Sequence, residues 1–410
     1  MSPTTPPLRR KRVNVRTPEV MDRVKAEVET HYRSHIVEKL RKKGGVLTIG
    51  NTTLRLAKQF GFCYGVERAI DLAYASRRVF PDQNIYLIGE IIHNPEVNRQ
   101  LVEMGIRNLV GPDADASVDE LTPEDVVIVP AFGAEAELIA NIKNSGCQIV
   151  DTTCGDVMSV WKRVRGYARK NFTSIIHGKA SHEETRATAS RATNVEGGHY
   201  LVILTLDDTD YVCDYIRNGG DSSAFLERFK GGYSDGFDPD THLYQVGVAN
   251  QTTMLKSETE ELQRRVAAAV RERDGNENTE NFEYFDTICG ATQERQDALF
   301  EMLERPMDIL LVVGGYNSSN TTHLVEIGER QLPTFFIRDA ECLCSFKEIV
   351  HFDLHKSEEV TSIYTESLLG EGPVTIGITA GASCPNNLIE ATIIQAFELR
   401  GISRDDILES

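Results

Sequence analysis

From Gly45 onward the chain repeats one pattern: a short apolar run rich in Ile, Val and Leu, a turn of small polar residues, then a stretch with helical spacing. NIYLIGEIIHNPEVNRQL, FTSIIHGKASHEETRATA, MDILLVVGGYNSSNTTHL and GPVTIGITAGASCPNNLIEATI are four examples. Such alternation predicts βα units on parallel sheets, an α/β fold. Ligands of these sheets collect beyond the carboxyl ends of the strands, where loops and helix N-termini point. Ahead of this region, Thr17-Pro18 opens one helix with Val20, Val24, Val28, Ile36 and Leu40 that ends at Lys42-Lys43-Gly44-Gly45. Its apolar positions step by four, so the stripe drifts round the axis. It reads as a packing arm or as a basic docking segment for an acidic partner. The acidic, Gly-rich stretch from Asp207 to Asp240 reads as an insertion or long loop.

The βα pattern contains an internal repeat. Asp151-Thr152-Thr153-Cys154-Gly155 returns as Asp286-Thr287-Ile288-Cys289-Gly290, and Gly61-Phe62-Cys63-Tyr64-Gly65 stands in a third strand-to-helix turn. Three similar units suggest three lobes that each offer one cysteine. A thiol at a helix N-terminus is favoured as thiolate, the form that binds iron. The spacings of 91 and 135 residues exclude a local zinc knuckle or bacterial ferredoxin motif. Three thiolates on a four-iron cluster would leave one iron open to a substrate oxygen. Three unrelated buried cysteines are the bland alternative. Cys147, Cys213, Cys342, Cys344 and Cys384 lack the repeated setting and read as core or incidental thiols.

Composition narrows the function. The net charge of -18 over 410 residues argues against general nucleic-acid binding. Residues 1–43 nevertheless carry +7, leaving -25 for the remainder. No apolar run approaches membrane-spanning length, and the basic start is not followed by an apolar segment of the secretory kind. The chain therefore reads as a soluble cytoplasmic protein, or one of the plastid stroma if eukaryotic, whose cysteines meet a reducing compartment.

Several polar groups fall on loops at strand ends: His93 before Asn94-Pro95, His182-Glu183-Glu184, Gln251-Thr252-Thr253, Ser318-Ser319-Asn320 and Ser383. Imidazoles, hydroxyls, an amide and helix-terminal N–H groups suit an anion such as a diphosphate. Each motif alone could be a helix cap or a satisfied turn residue. Occurring together with the repeated cysteines, they favour a binding site.

In order along the chain, GFCYGVERAI, EIIHNPEVN, DTTCGDV, HEET, NQTTM, DTICGATQERQDA, NSSN and TAGAS resemble the iron–sulfur 4-hydroxy-3-methylbut-2-enyl diphosphate reductases of the non-mevalonate isoprenoid pathway. The resemblance runs from about Leu54 to Glu390. It implies three pseudo-repeated α/β lobes with parallel sheets around a central [4Fe-4S] cluster on Cys63, Cys154 and Cys289. The implied lobes are 63–153, 154–288 with the insertion near 207–240, and 47–62 with 289–398, preceded by a basic helical extension 1–46. It further implies Glu184 as proton donor, Thr252 as a hydroxyl near the reacting oxygen, and His93, His182, Ser318, Ser319, Asn320 and Ser383 as diphosphate ligands. Many bacterial members carry another diphosphate-binding His where this chain has Pro130-Ala131-Phe132-Gly133-Ala134. That departure, the extension and the insertion resemble the plastid and cyanobacterial branch, which implies ferredoxin as electron donor; net charge and the apolar pattern lead to the expectation of neither nucleic-acid nor membrane partners. On the cysteines alone, an iron–sulfur hydro-lyase or a non-enzymatic metal or redox-sensing phosphate-binding module stays open.

Overall fold

Among the described residues the apolar runs form four sheets. A computed structural model describes residues 13–111, 114–345, 347–363 and 372–410, so the first twelve residues of the basic extension lie outside the described ones. The second sheet in chain order has the strands Ile106–Asn108, Ile85–Leu87, Val126–Val129 and Gln148–Asp151, all parallel. The third has Phe282–Tyr284, Val246–Asn250, Thr173–His177 and Tyr200–Ile203, again all parallel. The first combines early and late segments in the order Val46–Ile49, Thr52–Leu56, Val374–Ala380, Ile309–Val313 and Thr334–Ile337. Only its first pair is antiparallel. Central runs such as Val126–Val129 and Ile309–Val313 are buried at every position, as expected of strands covered on both faces. A small antiparallel sheet, Leu343–Ser345, Glu348–Asp353 and Glu358–Ile363, completes the set.

The chain divides into two compact units. One comprises Val79–Ile91 and Gly105–Cys289, with the described residues up to Val15, and holds the second and third sheets. The other comprises Arg16–Arg78, Ile92–Met104 and Gly290–Ser410 and holds the first sheet and the small antiparallel one. No described helix is long and apolar enough to cross a membrane.

Two expectations need correction. The single helix expected from Thr17 to Lys43 is two, Pro18–Tyr32 and His35–Lys42, separated by extended Arg33 and Ser34. Ser34 caps the second helix by accepting the Val37 N–H, and its hydroxyl donates to Glu390 Oε2 at 2.5 Å. The break re-aims the drifting stripe, so that Val24, Tyr32, Ile36, Val37 and Leu40 are all buried. The stretch 207–240 is not a long loop but folds into Leu206–Asn218, Ser222–Arg228 and the start of Pro239–His242. Its Tyr215, Phe225, Phe229 and Phe237 enter one core with Leu262 and Val266, an apolar contribution that outweighs the acidic surface composition.

Candidate functional site

All three repeated cysteines stand immediately before helices, at Tyr64–Val79, Gly155–Ala168 and Gly290–Leu303. They also share a backbone position. The Cys63 N–H donates to Ala382 O at 3.2 Å, that of Cys154 to Ala131 O at 2.8 Å, and that of Cys289 to Thr252 O at 3.1 Å. Each acceptor lies two residues beyond the end of the neighbouring parallel strand. The repeated aspartates explain part of this placement: Asp151 Oδ1 accepts from Thr153 N and Asp286 Oδ1 from Ile288 N, two Asx-type turns. All three cysteines are half-buried.

In the unit spanning Gly105–Cys289, the helix Glu183–Thr193 follows the strand Thr173–His177. His182 caps this helix, its Nδ1 accepting the Glu184 N–H at 3.2 Å. Glu184 is only 3% exposed, and its Oε1 accepts the Thr252 N–H at 2.6 Å. Thr252 thereby links Glu184 to Cys289 through a single peptide unit on each side of its Cα. Gln251 holds the same turn, its Oε1 accepting from Thr185 Oγ1 at 3.0 Å and from Lys179 N at 3.3 Å. Cys154 packs with Val157, Trp161 and Ala187, so its helix lies against the one that carries Glu184. Phe132, in the segment that departs from the bacterial pattern, sits edge-on to His182 with ring centroids 6.4 Å apart.

In the other unit, the diphosphate candidates converge around Ala382. Its carbonyl accepts from Cys63 while its N–H donates to Asn320 Oδ1 at 2.8 Å. Asn320 Nδ2 reaches Thr292 Oγ1 at 3.4 Å. Ser383 Oγ donates to His93 O at 3.1 Å and lies 3.3 Å from Ser318 Oγ. Ser318 in turn caps the helix Ser319–Glu329 by accepting from Thr321 N, and Ser319 is the helix's first residue. A glycine is required in one facing loop: a Cβ on Gly315 would meet His93 O at 2.6 Å. Arg295, itself buried, donates to Gly61 O and Ala291 O and so fixes the turn ahead of Cys63. On the helix after Cys63, burial raises the Glu67 carboxyl above its ordinary pKa, with the Asp71 charge adding to the shift.

The sequence-based site thus falls into two groups: Cys154, His182, Glu184, Thr252 and Cys289 in one unit, and Cys63, His93, Ser318, Ser319, Asn320 and Ser383 in the other. Two participants were not among the expected site residues. Asn317, whose Nδ2 is 3.4 Å from His93 Nδ1, lies inside the NSSN motif, and Thr292 follows the third cysteine by three residues. Of the remaining thiols, burial raises Cys147 and Cys342, lifts Cys213 to about 11 and pushes Cys384 higher still. Cys344 is exposed.

Parallel sheets whose helix-entry turns repeat one cysteine position three times define an internally repeated α/β protein. Within that class the chain belongs to the LytB family, whose model, described as LytB protein, matches residues 54–397. It is 48% identical over 390 residues to a 4-hydroxy-3-methylbut-2-enyl diphosphate reductase of Gloeobacter violaceus, covering 94% of this chain and 91% of that one. A protein of the same name from Thermosynechococcus vestitus is 44% identical over 384 residues, covering 93% of each chain. The fold is shared with the E-1-hydroxy-2-methyl-but-2-enyl-4-diphosphate reductase of Plasmodium falciparum, with a TM-score of 0.61, 20% identity, and coverage of 86% of this chain and 90% of that one. A solved (E)-4-hydroxy-3-methyl-but-2-enyl diphosphate reductase gives a TM-score of 0.51 at 24% identity, over 84% of this chain and 99% of that one.

Proposed function

We propose that this chain reductively dehydroxylates (E)-4-hydroxy-3-methylbut-2-enyl diphosphate to isopentenyl and dimethylallyl diphosphates. Two electrons and two protons enter; the allylic C–O bond breaks, its oxygen leaves as water, and a C–H bond forms. The observation that supports this most directly is the shared position of Cys63, Cys154 and Cys289, each at a helix start with its N–H on a carbonyl beyond the neighbouring strand. The donor set fits a [4Fe-4S] cluster: thiolates are its ordinary ligands, and helix N-termini place N–H groups and a positive dipole end beside their charge. When bound, the cluster supplies the electrons and a Lewis-acidic iron.

The chain's own residues do the rest. Glu184 delivers a proton to the departing oxygen, because hydroxide is a poor leaving group without one. The Thr252 hydroxyl orients that oxygen. His93, His182, Ser318, Ser319, Asn320 and Ser383 hold the diphosphate, with the N–H groups at the start of the 11-residue helix Ser319–Glu329. With Phe132 in the segment where many bacterial members carry a further imidazole, His182 takes that side of the diphosphate. The division into lobes at 63–153, 154–288, and 47–62 with 289–398 is part of this reading, and the grouping of strands into three large sheets supports it. The electron donor is ferredoxin, an acidic protein suited to the basic extension, in a reducing cytoplasm or stroma.

The test is anaerobic iron counting and spectroscopy with reduced viologen and the diphosphate substrate. Four irons per chain, with substrate-dependent consumption of viologen electrons, are expected. Zinc in place of iron, iron without turnover, or water loss without electron consumption would overturn the reading.

A further inference from the structure

The unit that holds Glu184 contains a cavity of about 700 Å³ whose described lining includes none of the assigned cysteines or diphosphate candidates, although Asp151, Thr153 and Trp161 from the Cys154 turn and helix border it. Lys143, Arg165 and Arg191 line it, with Asp151 the sole carboxylate among its described lining residues. None of the three cations forms an ion pair with a described carboxylate. Asp151 turns one oxygen to the Thr153 N–H instead. In a chain of net charge -18, this gives one concave, partly open surface a formal charge of +2.

Arg191 is the most constrained member. It is 7% exposed, Nη2 donates to Ala134 O at 2.7 Å, and the guanidinium lies 3.9 Å above the Trp161 ring. Its Nε has no hydrogen-bond partner among the described residues. Burial lowers its pKa to about 10; the Arg165 charge adds to that shift and the Asp151 carboxylate opposes it. An Arg placed only to brace Ala134 would not need two further cations beside it. Unpaired like charges around a partly closed space repel one another, and a bound anion removes that repulsion. Ile139 and Ile149 add apolar side chains to the same lining. The volume lies within the range of small-molecule pockets.

We propose that this cavity is a second anion site that takes a phosphate or diphosphate ester with a short apolar group. It is separate from the diphosphate positions assigned above and does not depend on the reductase reading. Lys143 and Arg165 form its accessible, charge-pairing side. Arg191 is the fixed floor, held by Trp161 and Ala134.

Trp161 is the chain's only tryptophan, so its emission reports directly on this cavity. The probe is inorganic diphosphate, titrated into the purified protein while tryptophan emission is followed. Wild type and Ser383→Ala should show the same saturable change with the same midpoint. Arg165→Gln and Lys143→Gln, at half-buried and exposed positions that tolerate substitution, should each raise the midpoint at least tenfold with unchanged thermal melting. n-Pentyl diphosphate should saturate the wild-type response at a lower concentration than inorganic diphosphate. The proposal is overturned by no saturable change up to millimolar diphosphate, or by a midpoint that ignores both cavity substitutions. A response abolished by Ser383→Ala alone overturns it too, because it then arises at the other site.

Discussion

Thr252 donates its main-chain N–H to Glu184 Oε1 at 2.6 Å, and the same residue's carbonyl accepts from Cys289. The carboxylate assigned to proton delivery and one assigned iron ligand therefore share a rigid backbone connection. Glu184→Gln keeps the shape and can still accept the Thr252 N–H through its amide oxygen, while removing a competent proton donor. Turnover should fall by about two to four orders of magnitude, with iron content and substrate affinity retained. Near-normal turnover would place the donor elsewhere; loss of iron would make Glu184 structural.

The cysteine assignment predicts a sharp division. Serine preserves size but offers a hard, weakly acidic ligand, so Cys63→Ser, Cys154→Ser and Cys289→Ser should each lose most bound iron and its visible absorbance. Cys342→Ser and Cys344→Ser should leave both unchanged. Normal iron content in Cys289→Ser would sink the three-thiolate arrangement.

Ser383→Ala removes the hydroxyl that meets both His93 O and Ser318 Oγ. A lost hydrogen bond to a charged ligand is worth about 1.5–3 kcal/mol, so KM for the diphosphate substrate should rise at least roughly tenfold. An effect confined to ground-state binding leaves kcat within a few fold. Steady-state kinetics decide it: an unchanged KM removes Ser383 from the diphosphate site.

The cysteine repeat was readable because its determinants are local. The Asx turns at Asp151 and Asp286 act over two residues, and the helix starts follow at once. What could not be read depended on distant partners. Ser34 breaks the N-terminal helix while bonded to Glu390, 356 positions away, and Tyr215 meets Asp240 across the segment that looked like a loop. Composition marks that segment as acidic surface, whereas four of its six aromatic side chains are buried in the core and the other two pack against it. Asn317 lies inside the NSSN motif, but nothing local to that motif marks it as a partner of His93, which only the fold brings beside it.

Asp274 gives a pH prediction. It ends the helix Lys256–Asp274, where a carboxylate faces the unfavourable end of the dipole. Hydrogen bonds from Arg273 first, then Thr279 and Asn281, outweigh burial and lower its pKa from 3.8 to about 2. A depressed carboxylate pKa stabilises the folded state fully above the unfolded value, and that contribution fades as pH falls from about 4 to about 2. Asp274→Asn should lower the melting temperature at neutral pH and flatten its decline over that window. An unaltered acid limb in melting curves would contradict the assignment.

The final prediction concerns two glycines in one unit with opposite expected outcomes. Gly133, in the segment that departs from the bacterial pattern, has φ +83, and a Cβ there would lie 2.3 Å from Trp161 Cζ2. Gly133→Ala therefore meets backbone strain and an aromatic ring that cannot easily retreat, since Trp161 Nε1 donates to Thr188 Oγ1 and Arg191 covers its face. The combined cost should be about 2–4 kcal/mol. Gly166 lies within the helix Gly155–Ala168, and nothing stands within 4 Å of an added Cβ. Gly166→Ala should stabilise by about 0.5–1 kcal/mol, chiefly by restricting the unfolded chain. Urea midpoints measure both effects, and tryptophan emission should shift only in Gly133→Ala, because only that methyl group presses on the indole. If the two variants were equally stable, the tight approach of Gly133 to Trp161 would not be a constraint on this fold.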